Sequence, residues 1–366
     1  MAARDRVRVM RRTVGLVALS SVLVLTGALA AHTPAEATVH RTFSWHVSTV
    51  GSDHELRGLD AVNGHTAWVS GDGGGVWRTT DQGLTWQDVS PPGSDGQYLR
   101  DVEATDARHA WVLAIGSGSE SRIYRTTDGG ATWTTTFVND DPAAFYDCMA
   151  MWPGGRTGLA VSDPPDGKFR IIRTTDAGRT WAVVDSAGMP PAVDGEFGFA
   201  ASGTCLVTAG GRDAYLASGG TASRIYRSHD RGTTWSVVES PIPATPSGAG
   251  GTFGLAFHNP RQGLAVGGDY TAPDNGARAS TYTRDGGRTW RSGGDLGGYR
   301  SGVAFVSGAP HTAVAVGTSG SDLSRDGGRT WTALTSGGDG FDSVQCVPGG
   351  VCWASGADGR VGVLRR

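Results

Sequence analysis

The sequence predicts an all-β fold, a single seven-bladed β-propeller, on three observations. Gly makes up 58 of 366 residues, and short Val-, Thr- and Trp-rich stretches alternate with Gly, Asp and Ser, which is typical of many strands joined by tight turns. One eight-residue turn recurs six times. The segments before the first copy and after the last copy supply the strands of one more unit. No 3.6-residue apolar spacing persists, which argues against helical repeats.

The recurring turn has the pattern [ST]-x-D-x-G-x-T-W. It occupies residues 79–86, 126–133, 174–181, 228–235, 283–290 and 324–331, and successive Trp residues are 47, 48, 54, 55 and 41 positions apart. A period of this size indicates a propeller or a solenoid rather than a sandwich. Each unit contains two strands upstream, a third before the turn such as "SRIYR", and a fourth after it such as "WSVVE". Four strands per repeat make one propeller blade.

The two ends of the chain predict how the ring closes. The tail supplies three strands, "FDSVQC", "VCWASG" and "GRVGVLRR", and stops where a seventh turn would begin. The segment "TFSWHVSTV" near the N-terminus supplies a fourth, with Trp45 lying 41 residues before Trp86. We therefore expect N- and C-terminal strands to share the seventh blade, which removes the free sheet edges. Residues 42–366 then form one domain.

The first thirty residues predict a signal peptide rather than part of the fold. Five Arg residues precede an apolar run over residues 14–30, and small residues offer cleavage sites after Ala30 or Ala37. This is the pattern of a secretory signal, with an uncleaved membrane anchor as the alternative. We expect a secreted or extracytoplasmic protein whose mature N-terminal tail spans residues 31–41.

Charge and cysteine content limit the classes of partner and cofactor. Without residues 1–30 the chain carries 27 basic and 34 acidic residues, a net charge of −7, which disfavours a nucleic acid partner. The sequence has no CxxC motif and no HxxxH pair, so we expect no metal and no cofactor. Export permits disulfides: Cys346 and Cys352 flank a turn, and Cys148 and Cys205 could join adjacent repeats. Four buried thiols are the alternative.

The residues of the turn have structural explanations. Asp accepts backbone N–H groups, Gly permits a positive φ, and Trp packs a large ring between sheets. Six Asp residues spread around a ring cannot converge on one substrate. We therefore assign a folding role to the six Asp–Trp pairs: Asp81 and Trp86, Asp128 and Trp133, Asp176 and Trp181, Asp230 and Trp235, Asp285 and Trp290, and Asp326 and Trp331.

These six turns resemble the Asp-box (BNR) repeats of sialidases, sortilin-type receptors and some glycoside hydrolases. Over residues 42–366 the chain is most similar to the photosystem II stability/assembly factor family, with units such as "GVWRTTDQGLTW" following "TAWVSGDGG" in one ring after a signal peptide. The resemblance implies an exported, chaperone-like protein that binds a membrane protein under assembly and needs no catalytic residue. Nothing in the sequence indicates photosynthesis, so that family's named partner does not transfer.

A ligand site is expected at one mouth of the central channel. The first strand of each blade lines the channel and starts on the face opposite the repeated turns. Aligning these starts places seven residues at the mouth: Arg57, Arg100, Tyr146, Phe197, Phe253, Arg300 and Phe341. Asp101, Asp147 and Asp342 come one position later. Arg residues bind carboxylates and aromatic rings give rigid contact area. The alternative is a solvated lining in which these Arg and Asp residues pair with each other.

The sequence supports two functions. The first is an exported, monomeric scaffold that binds a protein or peptide partner at the mouth without catalysis. The second is a glycoside hydrolase, which needs two carboxylates across one bond; Asp101 and Asp147, with Tyr146, are the residues that fit. A sialidase Arg-Ile-Pro motif is missing, and the related large glucanases have two rings where this chain has one. Binding is therefore favoured over catalysis.

Overall fold

A computed structural model of the protein describes residues 43–334 and 340–365. The expected signal peptide and tail, residues 1–41, lie outside the described residues. Within these ranges thirty strands form seven antiparallel sheets, and the expected all-β, seven-bladed propeller is confirmed. The same ranges contain three 3-10 turns, at Asp72–Gly74, Gly118–Glu120 and Ser186–Gly188. Among the described residues, no helix has the length and apolar character needed to cross a membrane.

The blades follow one another along the chain, except that β1 (Ser44–Thr49) belongs to the last one. Blades 1 to 3 contain β2 (Leu56–Ala61), β3 (Ala67–Gly71), β4 (Val76–Thr79) and β5 (Gln87–Asp88); β6 (Tyr98–Ala104), β7 (Ala110–Ile115), β8 (Arg122–Thr126) and β9 (Thr134–Val138); and β10 (Tyr146–Met151), β11 (Gly158–Ser162), β12 (Arg170–Thr174) and β13 (Ala182–Val183).

The remaining blades include one irregular sheet. Blade 4 contains β15 (Leu206–Ala209), β16 (Asp213–Ala217), β18 (Arg224–Ser228) and β19 (Ser236–Glu239). Blade 5 contains β20 (Gly250–Asn259), β21 (Gln262–Asp269), β22 (Ser280–Thr283) and β23 (Arg291–Ser292), extended beyond β20 by β14 (Glu196–Phe197) and β17 (Gly219–Gly220). Blade 6 contains β24 (Gly302–Phe305), β25 (Ala313–Gly317), β26 (Gly320–Ser324) and β27 (Thr332–Leu334). Blade 7 contains β28 (Phe341–Cys346), β29 (Cys352–Gly356), β30 (Arg360–Arg365) and β1.

The ring closes between the ends of the chain. β1 pairs antiparallel with β30, in a register that runs from Ser44 opposite Arg365 to Thr49 opposite Arg360. Trp45 on β1 is buried and lies against Phe341 with ring centroids 5.0 Å apart. The first strand of every blade contacts the first strands of both neighbours, and the contact between β28 and β2 completes the circle. This is the closure expected from the sequence.

The repeated turns share one hydrogen-bond network. In all six, the Asp Oδ1 accepts from the backbone N–H of the following Thr at 2.8–3.0 Å, and its Oδ2 accepts from that Thr hydroxyl at 2.6–2.8 Å. The leading Ser or Thr hydroxyl accepts from the turn Gly N–H, and that Gly has a positive φ. Hydrogen bonds from Thr85 lower the pKa of Asp81 to about 2.

The six turn Trp residues differ in burial, whereas the six turn Asp residues make the same hydrogen bonds. Trp235 is buried, whereas the other five turn Trp residues are half-buried. Trp133 Nε1 donates to the Val89 carbonyl of the neighbouring blade at 2.8 Å. The turns on this face therefore share one local hydrogen-bond network, and the indole of Trp133 also links two adjacent blades.

Two disulfides join the pairs of cysteines that the sequence suggested. Cys148 on β10 bonds to Cys205, directly before β15, so this bridge links blades 3 and 4. Cys346 and Cys352 bridge the hairpin between β28 and β29. A disulfide restricts the unfolded chain by an amount that grows with the enclosed loop. The 57-residue separation of the first pair makes it the larger restriction.

Side chains on the first strands connect adjacent blades across the channel wall. Backbone N–H groups donate to side-chain oxygens of the preceding blade: Ala104 to Asp60 Oδ2 (2.5 Å), Met149 to Asp101 Oδ2 (2.6 Å), Met151 to Glu103 Oε2 (2.9 Å), and Ala61 to Gln345 Oε1. Burial raises the pKa of all three carboxyl groups, to about 7 for Asp60. These carboxyl groups have a structural use.

The first prediction concerns a repeated turn. Asp230→Ala removes the acceptor for Thr234 N–H, the Thr234 hydroxyl and the Ser228 hydroxyl, so we expect a loss of about 1–3 kcal/mol in unfolding free energy. Asp230→Asn keeps one oxygen acceptor and should lose less. Urea unfolding measures both, with Asp95→Ala, an exposed position, as the control. Equal stability of Asp230→Ala and the control would contradict this role.

The second prediction concerns pH. Because the pKa of Asp60 is about 7 in the fold and about 4 in an unfolded chain, the folded state binds the proton more tightly. Its stabilising contribution is complete below pH ~4 and is lost as the pH rises toward ~7. Asp60→Asn keeps an acceptor without charge. The Tm of the variant should therefore exceed that of the wild type at pH 8 and approach it near pH 4; a gap independent of pH would refute this assignment.

Candidate functional site

A cavity of about 310 Å³ opens at the mouth where the first strands begin. Because strands alternate in direction, this mouth lies opposite the repeated turns. Its lining combines two Arg residues, one Asp and four aromatic residues with small neighbours: Arg57, Arg100, Asp342, Phe199, Phe253, Tyr270, Tyr299, Ala200, Ala201 and Thr318. We call this cavity the mouth pocket.

Strand irregularities aim side chains into the mouth pocket. The pairing between the first two strands of blades 1, 2, 3, 5 and 7 skips one residue near the start of the first strand. The residues at these bulges are Arg57, Arg100, Asp147, Phe253 and Asp342. A bulge re-aims the side chain of its extra residue. Four of the five line the mouth pocket.

The two arginines of the mouth differ in their acidic partners. Arg57 Nη2 donates to Glu55 Oε1 at 2.7 Å, and its Nη1 lies 4.0 Å from Asp342 Oδ1. Arg100 forms no ion pair with a described residue, and its guanidinium lies over the Tyr98 ring at 5.5 Å. Burial and the charge of Arg57 lower the pKa of Arg100. An anionic group placed between them would relieve this repulsion.

Asp342 is the buried acid of the mouth pocket. It is 1% exposed, and neither carboxylate oxygen makes a hydrogen bond with a described residue. Burial raises the pKa of Asp342 to about 7, although the nearby Arg57 charge acts in the opposite direction. At neutral pH this carboxyl group is therefore partly protonated and only partly offsets the charge of the arginines.

Four aromatic rings form the apolar wall. Phe199 and Phe253 are stacked, with centroids 3.7 Å apart and planes at 13°. Tyr299 meets Phe253 edge-on at 4.8 Å, and Tyr270 meets both phenylalanines edge-on at 6.3 Å. Phe199, Phe253 and Tyr299 are buried and pack against one another, so this part of the wall is formed before any ligand arrives, whereas Tyr270 is exposed at its edge.

The floor of the mouth pocket comes from a segment that crosses the channel. Residues 199–204, which we call the plug, contact blades on several sides: Ser202 Oγ donates to the Ser301 carbonyl at 2.8 Å, and Ser343 Oγ donates to the Ser202 carbonyl at 3.1 Å. Gly203 has φ +71°, and a Cβ there would lie 2.5 Å from Asp101 Oδ1. Glycine is therefore required for this close approach.

The plug corrects the sequence alignment of blade 4. The alignment started the first strand of this blade at Phe197, but the strand is β15, Leu206–Ala209. Phe197 instead lies on β14, paired with β17, and its ring packs edge-on against Phe199 at 5.1 Å. The extra residues before β15 cross the channel, and Phe197 therefore packs against Phe199 of the aromatic wall without lining the mouth pocket.

Three other aligned residues lie away from the mouth pocket. Arg300 is 2% exposed and its Nε donates to Asp322 Oδ2 at 2.7 Å. Tyr146 and Phe341 precede the bulge residues of their blades and are completely buried between sheets. The sequence alignment was one residue out of register in these two blades, because Asp147 and Asp342 occupy the bulge position that Arg57 and Arg100 occupy in blades 1 and 2.

The carboxylates proposed for the hydrolase alternative are covered by the plug and by Gly198, the residue before it. Asp101 lies below Gly203, and Asp147 lies against Gly198, where the Cβ of a larger residue would be 3.0 Å from Asp147 Oδ2. Burial raises the pKa of both groups, and Asp163 adds repulsion at Asp147. Burial also raises the pKa of Tyr146 to about 12. Neither Asp lines the mouth pocket.

A second cavity of about 450 Å³ occupies the channel on the other side of the plug. Ser202, Gly203 and Thr204 line this lower cavity, whereas the earlier plug residues line the mouth pocket. Asp101 and Glu103 lie on its wall, but both accept backbone N–H groups of blade 3. No group of His, Cys, Asp and Glu able to hold a metal occurs among the described residues.

Six lining residues were not found from the sequence: Tyr270, Tyr299, Thr318 and the plug residues Phe199, Ala200 and Ala201. Tyr299 precedes the aligned Arg300 by one position, and Tyr270 and Thr318 belong to loops that carry no repeat pattern. Phe199 lies in the plug. The available signal was the sequence "GEFGFAASGTC", which is longer than the corresponding segment of other repeats and places two Phe residues before a glycine and a cysteine.

Comparison with known proteins identifies structures of similar fold but no close relative. No protein-family model matches the sequence, and no curated protein matches it. Among solved structures, YCF48 bound to D1 peptide is 14% identical, with a TM-score of 0.63, covering 88% of this chain and 97% of that one. YCF48 from Cyanidioschyzon merolae is 15% identical, with a TM-score of 0.60, covering 88% and 99%.

An enzyme shares the ring as well. The Niastella koreensis GH74 enzyme is 16% identical, with a TM-score of 0.59, over 87% of this chain but only 53% of that one. Identity at this level establishes the fold alone. The resemblance to the photosystem II assembly factor family is thereby confirmed as a likeness of fold: the chain is a seven-bladed propeller similar to the YCF48 structures.

Proposed function

We propose that this protein is an exported scaffold that binds a peptide segment of a partner protein at the mouth pocket, without catalysis. The observation that carries the proposal is the pairing of two neighbouring arginines, Arg57 and Arg100, with a preformed aromatic wall. Arginine forms bidentate bonds with carboxylates, and aromatic residues and arginine are enriched in the buried cores of protein interfaces.

Two further observations support the proposal. One of the most similar solved structures is a propeller of the same size bound to a peptide, named as D1 peptide for that protein. The N-terminal Arg residues and apolar run support export, which would bring the scaffold to extracytoplasmic segments of envelope proteins. We infer that its partner is an envelope protein, for example a membrane protein during assembly. We also infer that the scaffold acts as a monomer.

The hydrolase alternative has less support. A glycosidase needs two carboxylates that face one bond from opposite sides, but Asp101 lies against Gly203 of the plug, Asp147 lies against Gly198, and neither lines the mouth pocket. Asp101 already accepts a hydrogen bond from the Met149 N–H of blade 3. Hydrolysis of chromogenic glycosides by the wild type, lost in Asp101→Asn, would favour the hydrolase instead.

The third prediction tests the binding surface. Arg57→Ala with Arg100→Ala should weaken binding to partners captured from the envelope of the producing cells by roughly tenfold or more, because each charge-assisted hydrogen bond contributes about 1.5–3 kcal/mol. Arg288→Ala with Arg329→Ala is the matched control, since both are exposed on the face of the repeated turns. Quantitative affinity capture compares the three proteins. Equal recovery by both double variants would show that the mouth is not the binding surface.

A further inference from the structure

The plug changes what the channel can hold. Its residues line two separate cavities, the mouth pocket above and the lower cavity below. It is held at both ends: the Gly198 N–H donates to Asp163 Oδ1 at 2.7 Å, and the Cys148–Cys205 disulfide follows its last residue. The mouth pocket is therefore a blind pocket and not the entrance to a through-channel.

The size of the mouth pocket favours one side chain. Its volume of about 310 Å³ is at the lower end of the ~300–1,000 Å³ found for small-ligand sites. Because the floor is closed, a peptide cannot thread through the ring and must lie across the mouth. Only a side chain can then enter, and it meets the stacked Phe199–Phe253 pair and the Tyr299 ring.

The charges at the rim decide what accompanies that side chain. Arg57 and Arg100 line the same pocket as the aromatic wall, and Arg100, which forms no ion pair with a described residue, would repel a cationic side chain. A nearby acidic group on the peptide would be attracted by both. The complementary ligand is thus apolar at one position and acidic close to it.

We propose that the mouth pocket takes one large apolar side chain, aromatic by preference, from an acidic peptide segment, and that Phe199 of the plug is the residue that selects it. This inference rests on the proposed function and adds the ligand class. Phe199 is already stacked and tied at both ends of its segment, so little ordering cost remains for binding.

The test uses a phage-displayed library of random dodecapeptides, selected on the wild-type chain, on Phe199→Ala and on Phe257→Ala. Phe257 is the matched control: it is also stacked, on Tyr215 at 3.7 Å, but it lines the lower cavity. Selection on the wild type and on Phe257→Ala should enrich a large apolar residue within a few positions of Asp or Glu. Selection on Phe199→Ala should keep the acidic enrichment and lose the apolar one.

A synthetic peptide with the best selected sequence then shows whether the contribution of its apolar anchor depends on Phe199. Replacing its apolar anchor by Ala should weaken binding to the wild type about tenfold or more, and should change binding to Phe199→Ala much less. Thr318→Trp, at an exposed position of the rim, provides a variant that leaves the plug intact. It should narrow the pocket and shift the selected anchor toward small residues.

The outcomes separate the two proposals. Clones that depend on Arg57 and Arg100 but show no apolar preference, or keep it on Phe199→Ala and Thr318→Trp, would overturn this inference and leave the proposed function standing. If no selected clone depends on the two arginines, the proposed function fails, and this inference fails with it.

Discussion

The ring is closed by the contact between β28 and β2, the first strands of blades 7 and 1, and the pairing of β1 with β30 joins the two ends of the chain at the outer edge of blade 7. Each first strand of the ring packs against the first strands of two neighbours. Closure makes the starts of the first strands converge on one mouth. It also leaves the repeated turns on the other face, where their Asp residues hold the backbone instead of a ligand.

The closed ring has an axial channel, and the plug divides it. In the lower part, acidic side chains accept backbone N–H groups of the next blade and so contribute to the ring rather than to chemistry. In the upper part, bulges turn arginine, aspartate and phenylalanine side chains toward a shared pocket. One local irregularity, repeated in register around a symmetric ring, thus produces an asymmetric surface with both charge and apolar area.

The architecture could be predicted from the sequence because it repeats. The spacing of Trp86 and its counterparts predicted the blades, and the incomplete units at the two ends predicted how the ring closes. Alignment of strand starts also placed Arg57, Arg100 and Phe253 at the mouth, where they lie. It misplaced Tyr146 and Phe341 because these blades were aligned one residue out of register, and a shift of one residue along a strand exchanges the two faces. The plug escaped prediction since an irregular insertion has no period, and the burial of Arg300 depends on a partner, Asp322, from another strand.

A partner held at the mouth pocket, and not elsewhere on the ring, should be reached by a probe placed beside that pocket. Site-specific photo-crosslinking provides this measurement, with p-benzoylphenylalanine at Thr318 beside the mouth pocket or at Ser307 beside the lower cavity. After irradiation in the envelope of the producing cells, we expect a crosslinked partner from position 318 and none from position 307. A partner crosslinked from position 307, with none from position 318, would contradict it.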